Sequence, residues 1–253
     1  GYSIGEVQAP YGYVLDETPV YFDVTEDNST EESGVTVVKV DKPNMAQKGT
    51  ITVEKSGEVF FGVSVIGGVD ESGNELPTIY QPQYEKRGLP GAVYEIIAAE
   101  DIITQDGTVR NQKGEVVDTV TTDETGTAVS RELYTGMVPN SEPHCVELVY
   151  AGQNVAVTET ATSFENERQK VEISLVKSIE QNEHFGIGNN GEMKNISFGL
   201  FAAEEIVSAS GTSIPANGLV EIISLNEDGT AKIKTDLPFG SYYVQELATD
   251  SHY

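Results

Sequence analysis

This 253-residue chain contains only one cysteine and three histidines. Cys145 directly follows a histidine, and because neighbouring residues of a β-strand point to opposite faces, the two do not form a nucleophile–base pair. Asp123–Gly126 and Asn226–Gly229 lack the ligand spacing of a Ca²⁺ loop and are typical of hairpin turns. We therefore expect no cofactor and no metal site, either there or at the histidines His144, His184 and His252.

Amines and carboxamides, in contrast, recur at a fixed spacing. Asn44 lies eleven positions before Lys55, and Asn166 lies eleven positions before Lys177. The second copy of this segment is displaced by 122 positions from the first. Because a repeated frame indicates which residues hold fixed structural places, these four residues are candidates for a shared role.

Glutamate is the third recurring residue type. The segment Gly1–Tyr13 matches the C-terminal segment Tyr242–Tyr253, and this match places Glu6 over Glu246. The chain thus begins and ends within the same motif. Candidate acids, amines and amides all belong to one repeated frame.

The charge of the chain limits its partners. There are 15 basic and 41 acidic residues, and the formal net charge is -26. This charge repels nucleic-acid phosphates and anionic lipid headgroups, so we expect no nucleic-acid partner and no direct membrane contact. No apolar run approaches the roughly 20 residues of a membrane span, and Gly1 does not begin a signal peptide. A single cysteine cannot form an intramolecular disulfide, so an extracellular chain of this kind needs another crosslink.

The elements that must position these residues are β-strands. Segments such as Gly49–Lys55 and Val171–Lys177 alternate apolar and polar residues with period two, and Gly, Asp, Asn and Pro separate such runs. This pattern predicts an all-β fold of tandem Ig-like or prealbumin-like β-sandwich modules. Both candidate lysines lie at the end of a predicted strand.

A further repeat defines the module length. Ala98–Ile102 recurs as Ala202–Ile206, and Glu132–Gly136 recurs as Asp236–Gly240, each 104 positions further on. Since the Asn-to-Lys segment is displaced by 122 positions, the first full module carries an insertion of 18 residues. We predict this insertion in the Gly- and Pro-rich stretch Gly62–Arg87.

The frame also contains a gap. Val14–Pro19 recurs as Val138–Pro143, but no counterpart of Tyr2–Gly12 lies between Gly136 and Met137. About eleven residues of the repeat are missing there. They are either deleted from this module or absent from the sequence, and the second explanation is favoured because a deletion would remove a core strand.

Three segments resemble the Cna protein B-type, or SpaA-like prealbumin-type, domains of Gram-positive bacterial surface proteins and pilins. These segments are a first strand ending in lysine, Ile51–Lys55; the strand Gly88–Ile96; and Tyr2–Tyr13, of the form Tyr-x-x-x-Glu-x-x-Ala-Pro-x-Gly-Tyr. The resemblance covers nearly the whole chain.

Many members of that family form an intramolecular isopeptide bond between a first-strand lysine and a last-strand asparagine, assisted by a glutamate. The resemblance therefore implies a crosslink between Lys55 and Asn166, whose glutamate would lie in the gap after Gly136. It further implies that Lys177 pairs with an asparagine beyond Tyr253. In the outer modules, Asn44 would pair with a lysine upstream of Gly1, and Glu6 and Glu246 would be the proton-shuttling acids.

The residue types suit this chemistry. Lysine attacks only as a neutral amine, and burial in an apolar core favours the neutral form. A carboxamide is a poor electrophile, so a nearby protonated carboxylic acid is needed to polarise it and to shuttle protons. The fold supplies the close placement of the groups. The reaction occurs once per molecule, so the chain is not expected to be an enzyme that turns over a substrate.

The sequence predicts three modules: 1–44, the C-terminal strands of a truncated module; 45–166, a complete module; and 167–253, a module lacking its last strands. The expected function is a structural stalk or spacer of an extracellular, cell-wall-associated surface protein or pilin-like adhesin of a Gram-positive bacterium. Its partners would be neighbouring modules of the same polypeptide. Two alternatives are a module that binds host glycan or matrix protein through loops at a sandwich end, and an accessory module of a secreted hydrolase.

Overall fold

A computed structural model describes residues 1–25, 30–32, 35–139, 145–181 and 191–248. Within these residues the secondary structure is almost entirely β, and the only helical segment is a short 3-10 helix, Glu192–Asn195. The all-β prediction is confirmed. In the part of the chain that the structure describes, no helix is long and apolar enough to cross a membrane.

The strands are numbered in chain order. The first six are β1 (Tyr2–Ile4), β2 (Val20–Phe22), β3 (Thr30–Glu32), β4 (Val35–Val37), β5 (Lys48–Val69) and β6 (Glu75–Gly88). The next nine are β7 (Val93–Ile97), β8 (Ile102–Ile103), β9 (Val109–Asn111), β10 (Val116–Thr121), β11 (Thr127–Val129), β12 (Leu133–Tyr134), β13 (Gly136–Pro139), β14 (Cys145–Leu148) and β15 (Val157–Asn166). The last seven are β16 (Ser174–Val176), β17 (Ser197–Ala202), β18 (Ile206–Val207), β19 (Ser213–Ile214), β20 (Leu219–Ser224), β21 (Thr230–Lys232) and β22 (Tyr242–Ala248).

Packing divides the chain into two units that interrupt each other in sequence. Unit 1 contains residues 1–56 and 88–165, and unit 2 contains residues 57–87 and 166–253. The chain therefore passes from one unit to the other three times, after Ser56, Arg87 and Glu165. The module boundaries at 44/45 and 166/167 describe sequence repeats rather than packing, and they stay predictions.

The core of unit 1 lies between two groups of paired strands. In one group β5 pairs with β11, β12 and β15, and in the other β7 pairs with β10. Alternation along β5 points Ile51 and Val53 inward, and alternation along β7 does the same for Tyr94 and Ile96. These inward residues join one buried cluster, which is the arrangement of a β-sandwich.

Unit 2 is built in the same way. β16 pairs with β21, and β17 lies between β20 and β22 in a three-stranded antiparallel sheet. Leu200 of β17, Ile223 of β20 and Ala231 of β21 share the buried core. The two-layer arrangement is therefore repeated.

The repeat extends to the register of strand pairing. The backbone N–H of Lys55 donates to the carbonyl oxygen of Gly126 at 2.7 Å, and that of Lys177 donates to the carbonyl oxygen of Gly229 at 2.9 Å. The flanking pairs also correspond: Ala128 with Val53 in unit 1, and Ala231 with Leu175 in unit 2. Residues that match in sequence thus occupy matching places in the two sheets.

A long hairpin interrupts the repeat. β5 runs through 22 residues and returns through the 14 residues of β6, by way of a turn at Asp70–Asn74 in which Gly73 has a φ of 84°. The stretch in which the insertion was predicted forms most of this hairpin. Residues 57–87 pack within unit 2, although both flanking segments belong to unit 1.

Candidate crosslinking sites

The first candidate site joins Glu6 and Asn44. Oε2 of Glu6 accepts a hydrogen bond from Nδ2 of Asn44 at 2.7 Å and another from the backbone N–H of Asp16 at 3.0 Å. Nδ2 of Asn44 also donates to the carbonyl oxygen of Val14 at 3.1 Å. Both side chains are half-buried. A carboxyl group beside the amide nitrogen is placed to deliver a proton to the ammonia that would leave from that nitrogen.

Another carboxyl group lies close to this site but is unsuited to act as the acid. A hydrogen bond from the ammonium of Lys42, 2.9 Å away, together with the backbone N–H of Thr18, lowers the pKa of Asp16 to about 2. Asp16 is thus ionised at neutral pH and holds no proton to donate. This leaves Glu6 as the candidate proton shuttle at Asn44.

The second candidate site joins Lys177 and Glu246. Nζ of Lys177 lies 3.0 Å from Oε2 of Glu246 and 6.0 Å from the centroid of the Phe198 ring. Glu246 is brought there by the sheet, because it lies opposite Phe198 in the pairing of β22 with β17. The side chains of Lys177 and Glu246 keep about a third of their surface exposed, at 33% and 34%.

The third candidate site contains Lys55, which is only 8% exposed. Its Nζ lies 5.7 Å from the centroid of the Phe164 ring, and Phe164 stacks on Tyr94 with ring centroids 4.9 Å apart. Lys55 is thus buried beside one ring of a stacked aromatic pair.

Asn166, the predicted partner of Lys55, is the last residue of β15 and is exposed. A Cβ atom at Gly49 would lie 3.0 Å from the carbonyl oxygen of Thr158, and Lys55 lies against Phe164. β5 and β15 therefore run in the same direction, and β15 ends two residues after the ring that covers Lys55.

A glycine in a turn between two strands lies against the backbone of each lysine: Gly126 at Lys55 and Gly229 at Lys177. Gly126 and Gly229 each have a φ of 79°, in the left-handed region. A Cβ atom at either position would collide with the carbonyl oxygen of Lys55 or Lys177. These are the turns that the sequence predicted at Asp123–Gly126 and Asn226–Gly229, and among the described residues no group of three or more metal-ligating side chains occurs.

The acid expected for Lys55 and Asn166 was predicted in the gap between Gly136 and Met137, and these two residues follow one another in β13. β13 pairs with β14, and residues 140–144 between them are not described. In unit 2, β17 pairs on both sides, with β20 and with the glutamate-bearing β22. Among the described strands of unit 1, β7 pairs only with β10. The predicted gap after Gly136 stays a prediction.

Gln47 is a polar residue that the sequence analysis missed. It is 1% exposed, and its Nε2 donates to the carbonyl oxygens of Gly152 at 2.9 Å and Val155 at 2.5 Å. Its Oε1 accepts from the backbone N–H of Ala151 at 2.8 Å. Gln47 thus fixes the loop before β15. The repeat contains a weak signal for it, since Gln169 occupies the matching position 122 residues later.

No family model matches the chain, and no curated protein matches it. Among solved structures, the chain is similar to the Bacillus anthracis TIE protein, with a TM-score of 0.49 and 19% identity over 98% of this chain and 36% of that chain. It is also similar to a streptococcal ancillary pilin, with a TM-score of 0.25 and 17% identity over 98% of this chain and 65% of that chain. The chain therefore spans less than two thirds of the length of either structure.

Proposed function

We propose that this chain is a stalk segment of an extracellular, cell-wall-associated or pilin-like surface protein, stiffened by Lys–Asn isopeptide bonds that the protein forms by itself. One observation carries the proposal. At two places in the repeated frame, a glutamate lies within hydrogen-bond distance of a predicted crosslink residue: 2.7 Å between Glu6 and Asn44, and 3.0 Å between Glu246 and Lys177.

The reaction needs only three side chains of the polypeptide: a lysine, an asparagine and a glutamic acid. For Lys55 and Asn166, the acid is the one predicted in the gap after Gly136. The neutral lysine Nζ attacks Cγ of the asparagine, a C–N bond forms, and the bond from Cγ to the amide nitrogen breaks. The glutamic acid polarises the amide and passes a proton from the amine to the departing nitrogen, which leaves as ammonia. No oxidant, metal or cofactor takes part. Each site reacts once, so the chemistry is maturation rather than turnover.

The bond proposed between Lys55 and Asn166 would close nearly the whole first full module into one loop. By analogy with disulfides, closing a loop of about 100 residues is worth about 4.7 kcal/mol in the chain-entropy model. Tension along the chain would also pass through the bond instead of separating β5 from β15. This stiffening suits a stalk whose one cysteine cannot form an intramolecular disulfide, and whose partners are the neighbouring modules of the same polypeptide.

The proposal is tested by intact mass spectrometry and by a digest searched for a branched peptide that contains Lys55 and Asn166. We expect a mass deficit of one ammonia and a branched peptide, both of which disappear in Lys55→Ala and Asn166→Ala. Lys48→Ala is the matched control, because this lysine lies at the start of the same strand and should leave the deficit unchanged. Finding only linear peptides in the unaltered chain would exclude the crosslink.

A groove in unit 1 supports a second candidate function, adhesion to a host glycan. The groove encloses about 250 Å³, and the rings of Tyr11 and Tyr150 line it with centroids 4.5 Å apart beside Thr104 and Gln105. Aromatic faces with neighbouring polar groups suit a sugar ring. Binding on a glycan array that is lost in Tyr11→Ala would favour this function. The absence of any binding would leave the stalk as the one proposed function.

A further inference from the structure

Residues 57–87 form a hairpin that packs with a different unit from the segments on either side of it in the sequence. It lies between two segments of unit 1, yet its contacts are in unit 2. We call these residues the docking hairpin. Three kinds of contact hold it in unit 2.

Apolar contacts come first. Phe60, Val63 and Tyr80 of the docking hairpin pack against the buried core of unit 2. That core contains Leu200 and Ile214, which are 1% and 0% exposed. The hairpin thus covers apolar surface that unit 2 would otherwise expose to water.

Backbone hydrogen bonds fix the position of β5 against unit 2. The carbonyl oxygens of Phe60 and Phe61 accept from the backbone N–H groups of Ala209 and Ser210, at 3.1 and 2.9 Å. The backbone N–H of Val63 donates to Oγ1 of Thr212 at 3.0 Å. The turn between β18 and β19 therefore bonds directly to the hairpin.

An arginine provides the third kind of contact. The guanidinium of Arg168 lies 4.0 Å from the centroid of the Tyr84 ring, and its side chain is only 11% exposed. It forms ion pairs with Glu58, at 3.3 Å, and with Asp236. The hydroxyl of Tyr84 donates to the carbonyl oxygen of Asp236 at 3.1 Å. One cation thus connects both strands of the hairpin to unit 2, in a nearly buried position where it is shielded from water.

We propose that residues 57–87 are a docking hairpin whose partner is the next module, and that the second module needs this segment of the first to reach its full stability. The partner surface has three parts: an arginine before the first strand of unit 2 outside the hairpin, a Ser/Thr turn whose N–H groups donate to the hairpin, and the edge of an apolar core. The inference is independent of the crosslinks, since none of its residues belongs to a candidate crosslinking site.

Hydrogen exchange on the full chain tests the proposal, with Arg168→Ala and Tyr84→Ala made singly and together. We expect each variant to reduce the amide protection of β17 and β20 by about tenfold or more, while β7 and β10 keep theirs. The double variant should lose less than the product of the two single effects, because both substitutions break the same contact.

Two controls make the result decisive. Arg110 lies 4.6 Å from the Tyr134 ring in unit 1, so Arg110→Ala removes a comparable arginine–tyrosine contact there and should spare β17 and β20. A Gly-Ser insertion after Gly73 lengthens the exposed hairpin tip and should change neither unit. Unchanged protection of β17 and β20 in both Arg168→Ala and Tyr84→Ala, or an equal loss in both units, would overturn the proposal.

Discussion

Nδ2 of Asn44 donates a hydrogen bond to Oε2 of Glu6 at 2.7 Å, although 38 positions separate the two residues in the chain. The same carboxylate accepts from the backbone N–H of Asp16. A single side chain therefore holds together the segment after β1, the segment before β2 and the segment before β5.

We predict that Glu6→Ala lowers the free energy of unfolding of unit 1 by about 1–2 kcal/mol, since two hydrogen bonds to a half-buried carboxyl group are lost. Glu6→Gln keeps an acceptor oxygen of the same reach and should cost less than about 1 kcal/mol. Urea titration of the two variants measures the difference. If Glu6→Ala is no less stable than Glu6→Gln, the carboxylate does not hold these segments.

The candidate lysines should differ in reactivity. Lys55 is 8% exposed beneath Phe164, whereas the Lys177 side chain is 33% exposed. In the native protein we expect an acylating reagent to modify Lys177 at least about tenfold faster than Lys55, because the reagent must reach the amine through solvent. Peptide mass spectrometry reads both positions in one experiment.

Denaturation before labelling separates burial from crosslinking at Lys55. A lysine that is only buried becomes reactive when the chain unfolds, whereas a lysine in an amide bond does not. The proposed function predicts that Lys55 stays unmodified in the denatured chain while Lys48, which belongs to no candidate crosslink, is fully modified. Full modification of Lys55 would show that no bond had formed.

A crosslink also has a thermodynamic signature. Lys55→Met, which keeps the apolar length of the side chain, and Asn166→Ala should each lower the stability of unit 1 by up to about 4.7 kcal/mol. The double variant should be no less stable than either single variant, because all three lack the same bond. Additive losses, measured by thermal unfolding, would indicate two separate packing effects.

Much of the fold could be predicted from the sequence because the repeat and the strand periodicity are local signals. The matching of Lys55 with Lys177 was visible in the spacing alone, and the backbone N–H group of each lysine donates to the carbonyl oxygen of a turn glycine, Gly126 or Gly229. The family resemblance named Glu6 and Asn44 separately as candidates, and the structure brings these two residues within hydrogen-bond distance.

The docking hairpin shows what the sequence could not predict. The 18 extra residues of the first module could be counted from the two repeat displacements, 122 and 104 positions. The surface against which these residues pack could not be predicted in this way. The docking depends on contacts such as that between Tyr84 and Arg168, which are far apart in sequence and lie outside the repeated frame. Contacts of this kind do not produce a periodic pattern in the sequence.

Gln47 offers a test in which the repeat supplies its own control. Its side chain is buried and makes three hydrogen bonds to the loop at Ala151–Val155, and removing it leaves two carbonyl oxygens and one N–H group without this partner. We predict that Gln47→Ala costs about 2–3 kcal/mol. Gln169, at the matching position, is exposed, so Gln169→Ala should cost less than about 0.5 kcal/mol. Equal effects on the urea midpoint would contradict the assigned role.

The buried phenol of Tyr242 should make the free energy of unfolding of unit 2 fall at alkaline pH. Burial raises the pKa of Tyr242 to about 12 from the ordinary value of 10.0, and its hydroxyl donates to the carbonyl oxygen of Pro238 at 2.9 Å. The folded state therefore favours the neutral phenol. The resulting stabilisation is fully present below pH 10 and is lost as the pH rises towards 12, since the unfolded chain ionises first.

Tyr242→Phe has no phenol to ionise, so the difference in stability between the unaltered chain and this variant should shrink between about pH 10 and pH 12. Burial also raises the pKa of Tyr84. We therefore expect both of these tyrosines to ionise late in a titration of phenolate absorbance, and each of Tyr242→Phe and Tyr84→Phe to remove one late equivalent. A late component that Tyr242→Phe leaves intact would mean that Tyr242 is open to solvent, and the packing of β22 on the core of unit 2 would have to be revised.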